Sequence, residues 1–93
     1  MDVAFSNEFK RDRDSYSGDD ELMRQIAGKI KEIKKASSID EVPGMEEIRG
    51  RKVFYRFKIT SRKIIFRICV KTLHNKVWFT IIDPYKKRFY ERI

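Results

Sequence analysis

Arg56 and Lys58 stand two residues apart in the run Phe54-Tyr55-Arg56-Phe57-Lys58-Ile59, where each cation alternates with an apolar or aromatic residue. In an extended strand that alternation sends Tyr55, Phe57 and Ile59 to one face and Arg56 and Lys58 to the other. Lys63, Ile65 and Arg67 follow in the phase that joins the cationic face, with Arg62 adjacent, and a basic tail, Lys86-Lys87-Arg88, leads into Phe89-Tyr90. Cations interleaved with aromatics suit a phosphodiester backbone and its bases, because the charges neutralise phosphates and the rings stack. Like charges crowded onto neighbouring strands repel one another, and a bound phosphate backbone would relieve that repulsion.

The charge is distributed unevenly. Residues 52–93 hold 12 Lys/Arg against Asp83 and Glu91, a net +10, whereas residues 1–51 hold 10 Lys/Arg against 12 Asp/Glu, a net −2. A basic segment joined to a nearly neutral one is the footprint of a protein that grips a polyanion on one face. At 93 residues with 41% hydrophobic content and 12 aromatics, the chain suffices for one small domain with its own core, and disorder throughout is excluded. A single cysteine, Cys69, rules out an intrachain disulfide framework and Cys-cluster zinc sites, which fits a reducing compartment. No apolar stretch near the start reads as a signal peptide, and no run has membrane-spanning length. The expectation is a cytoplasmic protein without a membrane partner.

The elements that must position the cations read as follows. Val3 to Phe5 is a candidate first strand, and Ser6 or Asn7 offers an N-cap for a short charged helix carrying Phe9, Arg13 and Tyr16 on one side. Ser17-Gly18 stops it. Asp19-Asp20-Glu21 opens a second helix, over about 20–36, with Leu22, Ile26, Ile30 and Ile33 at helical spacing and Lys34-Lys35 in the last turn. The two helices are placed to form a hairpin. Ser37 to Arg51 is a linker with apolar anchors Ile39, Val42, Met45 and Ile48 and a possible turn near 45–49. The period then changes to two: a strand over 54–59, a turn at Thr60-Ser61, a strand from Arg62 to Val70 with Ile64, Phe66 and Ile68 inward, a loop over 71–76, and a strand from Val77 to Ile82 ended by Asp83-Pro84. Tyr85 to Ile93 closes as a tail, partly helical.

Gly50-Arg51-Lys52-Val53-Phe54-Tyr55-Arg56-Phe57-Lys58-Ile59, then Arg62-Lys63-Ile64-Ile65-Phe66, then Tyr85-Lys86-Lys87-Arg88-Phe89-Tyr90, preceded by Ser38-Ile39-Asp40-Glu41-Val42-Pro43, resembles a RelE-type toxin of the RelE/ParE toxin–antitoxin superfamily over nearly the whole chain. The resemblance implies an α+β domain, with an N-terminal helical hairpin packed on a mainly antiparallel, roughly four-stranded twisted sheet and a short C-terminal basic tail or helix. It implies a toxin that cleaves mRNA on the ribosome without metal or other cofactor and is neutralised by an acidic antitoxin. By position, Arg56 and Lys58 match the basic pair of the first long strand, Lys63 the arginine of the next strand, Lys86 the basic residue of the tail and Tyr90 its aromatic. Arg62, Arg67, Lys87 and Arg88 are expected to touch RNA.

RNA supplies its own nucleophile, the ribose 2′-hydroxyl. A catalyst must accept that proton, stabilise the added charge on phosphorus and protonate the departing 5′-oxygen, and clustered Lys and Arg can do this. A lysine crowded by cations gives up its proton more readily, which makes Lys58 the expected base, with Arg56 and Lys63 on the phosphate, Lys86 at the leaving oxygen and Tyr90 stacked on a base. The chain departs from the family pattern at Lys63, where arginine is usual and Arg62 could substitute after a one-residue slip; at Tyr85, where histidine is common; and at Thr60-Ser61, in place of a Gly-Asp turn.

Other residues carry less. His74, the one histidine, reads as an exposed loop residue, and Cys69 as a small buried hydrophobe. Trp78 reads as a sheet-packing aromatic, with base stacking the alternative. Glu8, Asp12 and Asp14 read as a solvated helix face. A non-nuclease toxin of the same fold that binds a protein such as gyrase, a non-catalytic nucleic-acid-binding module and a toxin relic stay open as alternatives.

Overall fold

The computed structural model describes residues 1–93. Strand β1 (Asp2–Phe5) leads into helix α1 (Asn7–Ser15) and helix α2 (Asp20–Lys35); a 3-10 turn (Ile39–Glu41) and a two-residue strand β2 (Glu46–Glu47) precede β3 (Phe54–Ser61), β4 (Ile64–Leu73), β5 (Lys76–Asp83) and helix α3 (Lys86–Arg92). The five strands form one sheet in the order β1-β5-β4-β3-β2. The sheet is mainly antiparallel, as expected, but it has five strands rather than roughly four and is mixed: β1 runs parallel to β5, and β2 adds a short edge beside β3. Parallel pairing needs a long crossover, and everything from α1 through β4 lies between β1 and β5.

The helices start where the sequence caps them. Ser6 Oγ accepts the Phe9 amide at 3.0 Å, and Asp19 Oδ1 accepts the Leu22 amide at 3.0 Å. Acids in the first turn and Lys34 and Lys35 in the last complement the α2 dipole. Phe9 of α1 and Leu22, Ile26 and Ile33 of α2 lie down on Phe57, Ile59, Phe66, Ile68, Val70, Val77, Phe79 and Ile82 of the sheet; with Ile39 and Val42 of the linker they make a buried cluster of 14 residues. The one helical turn of the linker is at Ile39–Glu41, and the stretch near 45–49 carries strand β2 instead of the expected helical turn.

Two features moved the strands beyond their expected ends. The β3–β4 turn is Arg62-Lys63, with φ of 52° and 67°, not Thr60-Ser61. Positive φ at both central residues matches the twist of a two-residue hairpin, although it costs roughly 1–2 kcal/mol at each residue with a β-carbon. Ser61 is fully buried and donates to Asp19 Oδ1 at 2.8 Å, so the strand is pinned to the α2 cap and the chain can reverse only after it. The β4–β5 turn, His74-Asn75, has the same geometry, with φ of 52° and 61°.

The second feature is a bulge. Val70 pairs with Phe79 but Cys69 pairs with Ile81, so Thr80 is an extra residue on β5, and its hydroxyl donates to the Cys69 carbonyl at 3.1 Å. The bulge reverses the alternation along β5. Phe79 and Ile82 both face the helices, and Ile81 and Asp83 pass to the other side. There Ile81, Cys69, Ile48 and Phe89 form a second buried cluster beneath α3.

Candidate nucleic-acid interface

The sheet face turned away from α1 and α2 is ordered in three cross-strand rows. The first is Phe54, Lys71, Trp78 and Ala4; the second is Arg56, Cys69 and Ile81; the third is Lys58, Arg67 and Asp83. Phe89 of α3 closes the middle row at its Cys69–Ile81 end. Of the cations in these rows, Lys58 is exposed, whereas Arg56 and Arg67 are only partly so.

Arg56 is held in place from two directions. Its Nη2 lies 3.3 Å from Glu46 Oε2 on β2, and its guanidinium carbon lies 5.8 Å from the centre of the Tyr90 ring on α3. Lys58 is exposed and makes no ion pair. Arg67 stands directly across from it, and the Arg67 Nε is buried with no hydrogen-bond partner. An unpaired buried donor costs about 1–3 kcal/mol, more when charged. Asp83, the only carboxylate in that row, is otherwise engaged: it is fully buried, its Oδ1 accepts the Tyr85 amide at 2.8 Å, and its Oδ2 accepts Arg88 Nε at 2.7 Å and Arg92 Nη1 at 2.8 Å. Burial alone would push this carboxyl up, but the two guanidinium hydrogen bonds and the amide hold it below the ordinary carboxylate range. Arg67 and Lys58 therefore face each other with no anion between them.

Arg92 fastens α3 to the rest of the domain. Besides Asp83 it reaches Asp12 Oδ2 at 2.7 Å and Glu8 Oε1 at 2.8 Å on α1, and it donates to the Ile82 carbonyl at 3.3 Å. These hydrogen bonds hold its proton more firmly than usual despite the burial that opposes charge. Asp12 also accepts the Ile82 amide at 2.9 Å, and Ser6 donates to the Thr80 carbonyl at 2.9 Å. The β5 edge beyond the end of β1 is thus satisfied by side chains rather than by another strand. Asp12 is a partly buried clamp residue rather than part of the solvated face that the sequence suggested, whereas Glu8, though it pairs with Arg92, and Asp14 are exposed as expected. The spacing of four that puts Glu8 and Asp12 on one side of α1 was the available signal, and Arg92 alone takes both carboxylates.

The expected site residues divide accordingly. Arg56, Lys58, Arg67 and Tyr90 meet on one face. Lys86 lies one turn before Tyr90 on the same side of α3, exposed, as is Lys87. Lys63 is not on a strand: it occupies the hairpin tip, and the strand position opposite Lys58 belongs to Arg67. Arg62, also in the tip, turns toward the α1–α2 connection, 3.4 Å from the Gly18 carbonyl and 4.0 Å from Asp19 Oδ1. Arg88 is tied to Asp83 and lies 4.9 Å from the Tyr85 ring centre. Cys69 is fully buried, and burial pushes its thiol up to about 11, so it stays protonated at neutral pH. His74 is exposed in its turn. No group of three or more His, Cys, Asp or Glu side chains is arranged to hold a metal ion, and no helix is long and apolar enough to cross a membrane.

No protein-family model matches this chain, and no curated protein matches it. A chain in the crystal structure of the RelB-RelE antitoxin-toxin complex from Methanococcus jannaschii has the same fold: the TM-score is 0.74 at 19% identity, over 98% of this chain and 99% of that one. At that identity the likeness establishes the fold.

Proposed function

We propose that this protein is the toxin of a toxin–antitoxin pair and acts as an endoribonuclease on mRNA at the ribosome, held inactive by an acidic antitoxin. The observation that carries the reading is the Lys58–Arg67 row: two facing cations, one with a buried unpaired donor, beside an arginine held under a tyrosine ring. A phosphodiester supplies the missing anion and a base supplies the missing stacking partner. The shared fold with a chain of an antitoxin–toxin complex supports the choice of system.

In this reading the scissile phosphate lies against Arg67 and Arg56, with Arg67 in the role first expected of Lys63. Lys58 takes the proton from the ribose 2′-hydroxyl, whose oxygen attacks the adjacent phosphorus. The P–O5′ bond breaks, and Lys86 gives a proton to the departing 5′-oxygen. The products are a 2′,3′-cyclic phosphate and a free 5′-hydroxyl, so atoms and charge balance using groups of the chain and its substrate. Tyr90 stacks on a neighbouring base. The antitoxin competes through carboxylates for the net +10 of residues 52–93.

Induced expression without a partner is expected to arrest growth, with mRNA from the arrested cells cut at discrete sites by primer extension. Lys58→Ala is expected to lower cleavage by about 10²–10⁴-fold, the range for loss of a general base, with an unchanged circular dichroism spectrum. Arrest with intact mRNA, or full cleavage by the folded Lys58→Ala variant, would overturn the reading.

A further inference from the structure

Trp78 is the only tryptophan, yet it belongs to neither buried cluster. It is half-buried, in the row Phe54–Lys71–Trp78–Ala4, on the same sheet face as the cations. With Ser6, Lys71, Leu73 and Thr80 it lines a depression of about 270 Å³. Lys71 makes no ion pair; its ammonium lies 5.8 Å from the Phe54 ring centre. Leu73, 42% exposed, extends the apolar wall. Pairing with Lys71 places Trp78 on this face, and the Thr80 bulge beyond it brings Ile81 and Asp83 to the same face.

An indole in a shallow apolar depression beside an unpaired ammonium suits a planar ring that carries a phosphate. The row holds no carboxylate to compete. It lies four strand residues from the Lys58–Arg67 row, about 13 Å at 3.3 Å per residue. Stacked nucleotides at 3.4 Å each cover that in about four steps. We propose that Trp78, flanked by Lys71, is a base-stacking subsite for single-stranded RNA, and that it fixes which phosphate of the strand reaches Lys58 and Arg67. The inference rests on the ribonuclease reading and adds a second anchor point on the substrate.

The single tryptophan makes the test direct. The full chain is titrated with a labelled 12-nucleotide single-stranded RNA bearing 2′-O-methyl groups, which removes the nucleophile and prevents cleavage. Probe anisotropy reports binding anywhere on the protein, and Trp78 emission reports this subsite. Saturable quenching with the same midpoint as the anisotropy change is expected. Trp78→Leu is expected to weaken binding roughly 5- to 150-fold, corresponding to about 1–3 kcal/mol per stacked base, and Trp78→Phe to restore most of it. Lys71→Glu is expected to shift the midpoint of both signals upward. An anisotropy change with unaltered Trp78 emission, or a Trp78→Leu variant that binds like the parent, would overturn the subsite and leave the ribonuclease reading standing. No anisotropy change at all would overturn both. If Trp78→Leu fails to fold, the emission titration of the parent still decides.

Discussion

The two faces of the sheet are built on opposite terms. Under α1 and α2, 14 buried residues form one cluster, with partly buried apolar side chains packed around it. Beneath α3 only Ile48, Cys69, Ile81 and Phe89 are buried together, and the remainder of that face carries Arg56, Lys58, Arg67 and Lys71. The first face gains free energy from apolar area removed from water. The second gives some of it up, since it holds like charges opposite one another and leaves a guanidinium nitrogen unpaired. In a domain this small that sacrifice is large relative to net stability. Apolar burial thus belongs to one face and unpaired positive charge to the other, with α3 as the element that joins them through Arg92.

The separation breaks most visibly on the helix side. Phe79 touches Phe5, Phe9 and Phe57 with ring centres 5.3–6.1 Å apart and is fully buried. Phe79→Ala is expected to cost about 3–5 kcal/mol in urea unfolding, the range for a buried aromatic replaced by alanine.

The next largest effect lies at the joint. Asp83→Asn removes the charge shared by Arg88 and Arg92, and a loss of about 2–3 kcal/mol is expected, below the full figure for a broken buried pair because Arg88 is half exposed. The pH dependence has a definite sign. The folded carboxyl titrates below its ordinary value of about 3.9, so its contribution is complete above that pH and is lost as pH falls through the lower folded value. Asp19 is held down in the same direction, chiefly by the Leu22 amide and the Ser61 hydroxyl. Acid unfolding of Asp83→Asn should therefore show a shallower decline below about pH 4 than the parent, without becoming flat.

Much of the helix face was legible in the sequence because local signals and tertiary packing agree there. The capping serine and aspartate, the 3.6-residue spacing of Leu22, Ile26 and Ile33 and the alternation of Phe57 and Ile59 all point inward. The cationic side of β3 was legible for the same reason. The partner of Lys58 was less plain. A turn made of Arg62 and Lys63 has none of the usual glycine or asparagine, and it is fixed by the Ser61–Asp19 hydrogen bond between segments 42 residues apart. Lys63 consequently reads as a strand residue. The Thr80 bulge and the parallel placement of β1 likewise depend on long-range packing that no local pattern encodes. The clamp around Arg92 joins Glu8, Asp12 and Asp83 from two distant segments, and each of those acids reads by itself as ordinary surface or a strand end.

The comparison between faces is tested most directly by the salt dependence of RNA binding. The 2′-O-methyl single strand is titrated from 50 to 300 mM salt against the parent and against Lys58→Ala and Arg67→Ala, with urea unfolding of each protein alongside. Each variant is expected to flatten the slope of log affinity against log salt by about 0.7, the value for one fewer phosphate neutralised on a single strand. Lys58→Ala is expected to leave stability within about 0.5 kcal/mol of the parent. Unchanged slopes in both folded variants would contradict the assignment of this face to a phosphate backbone.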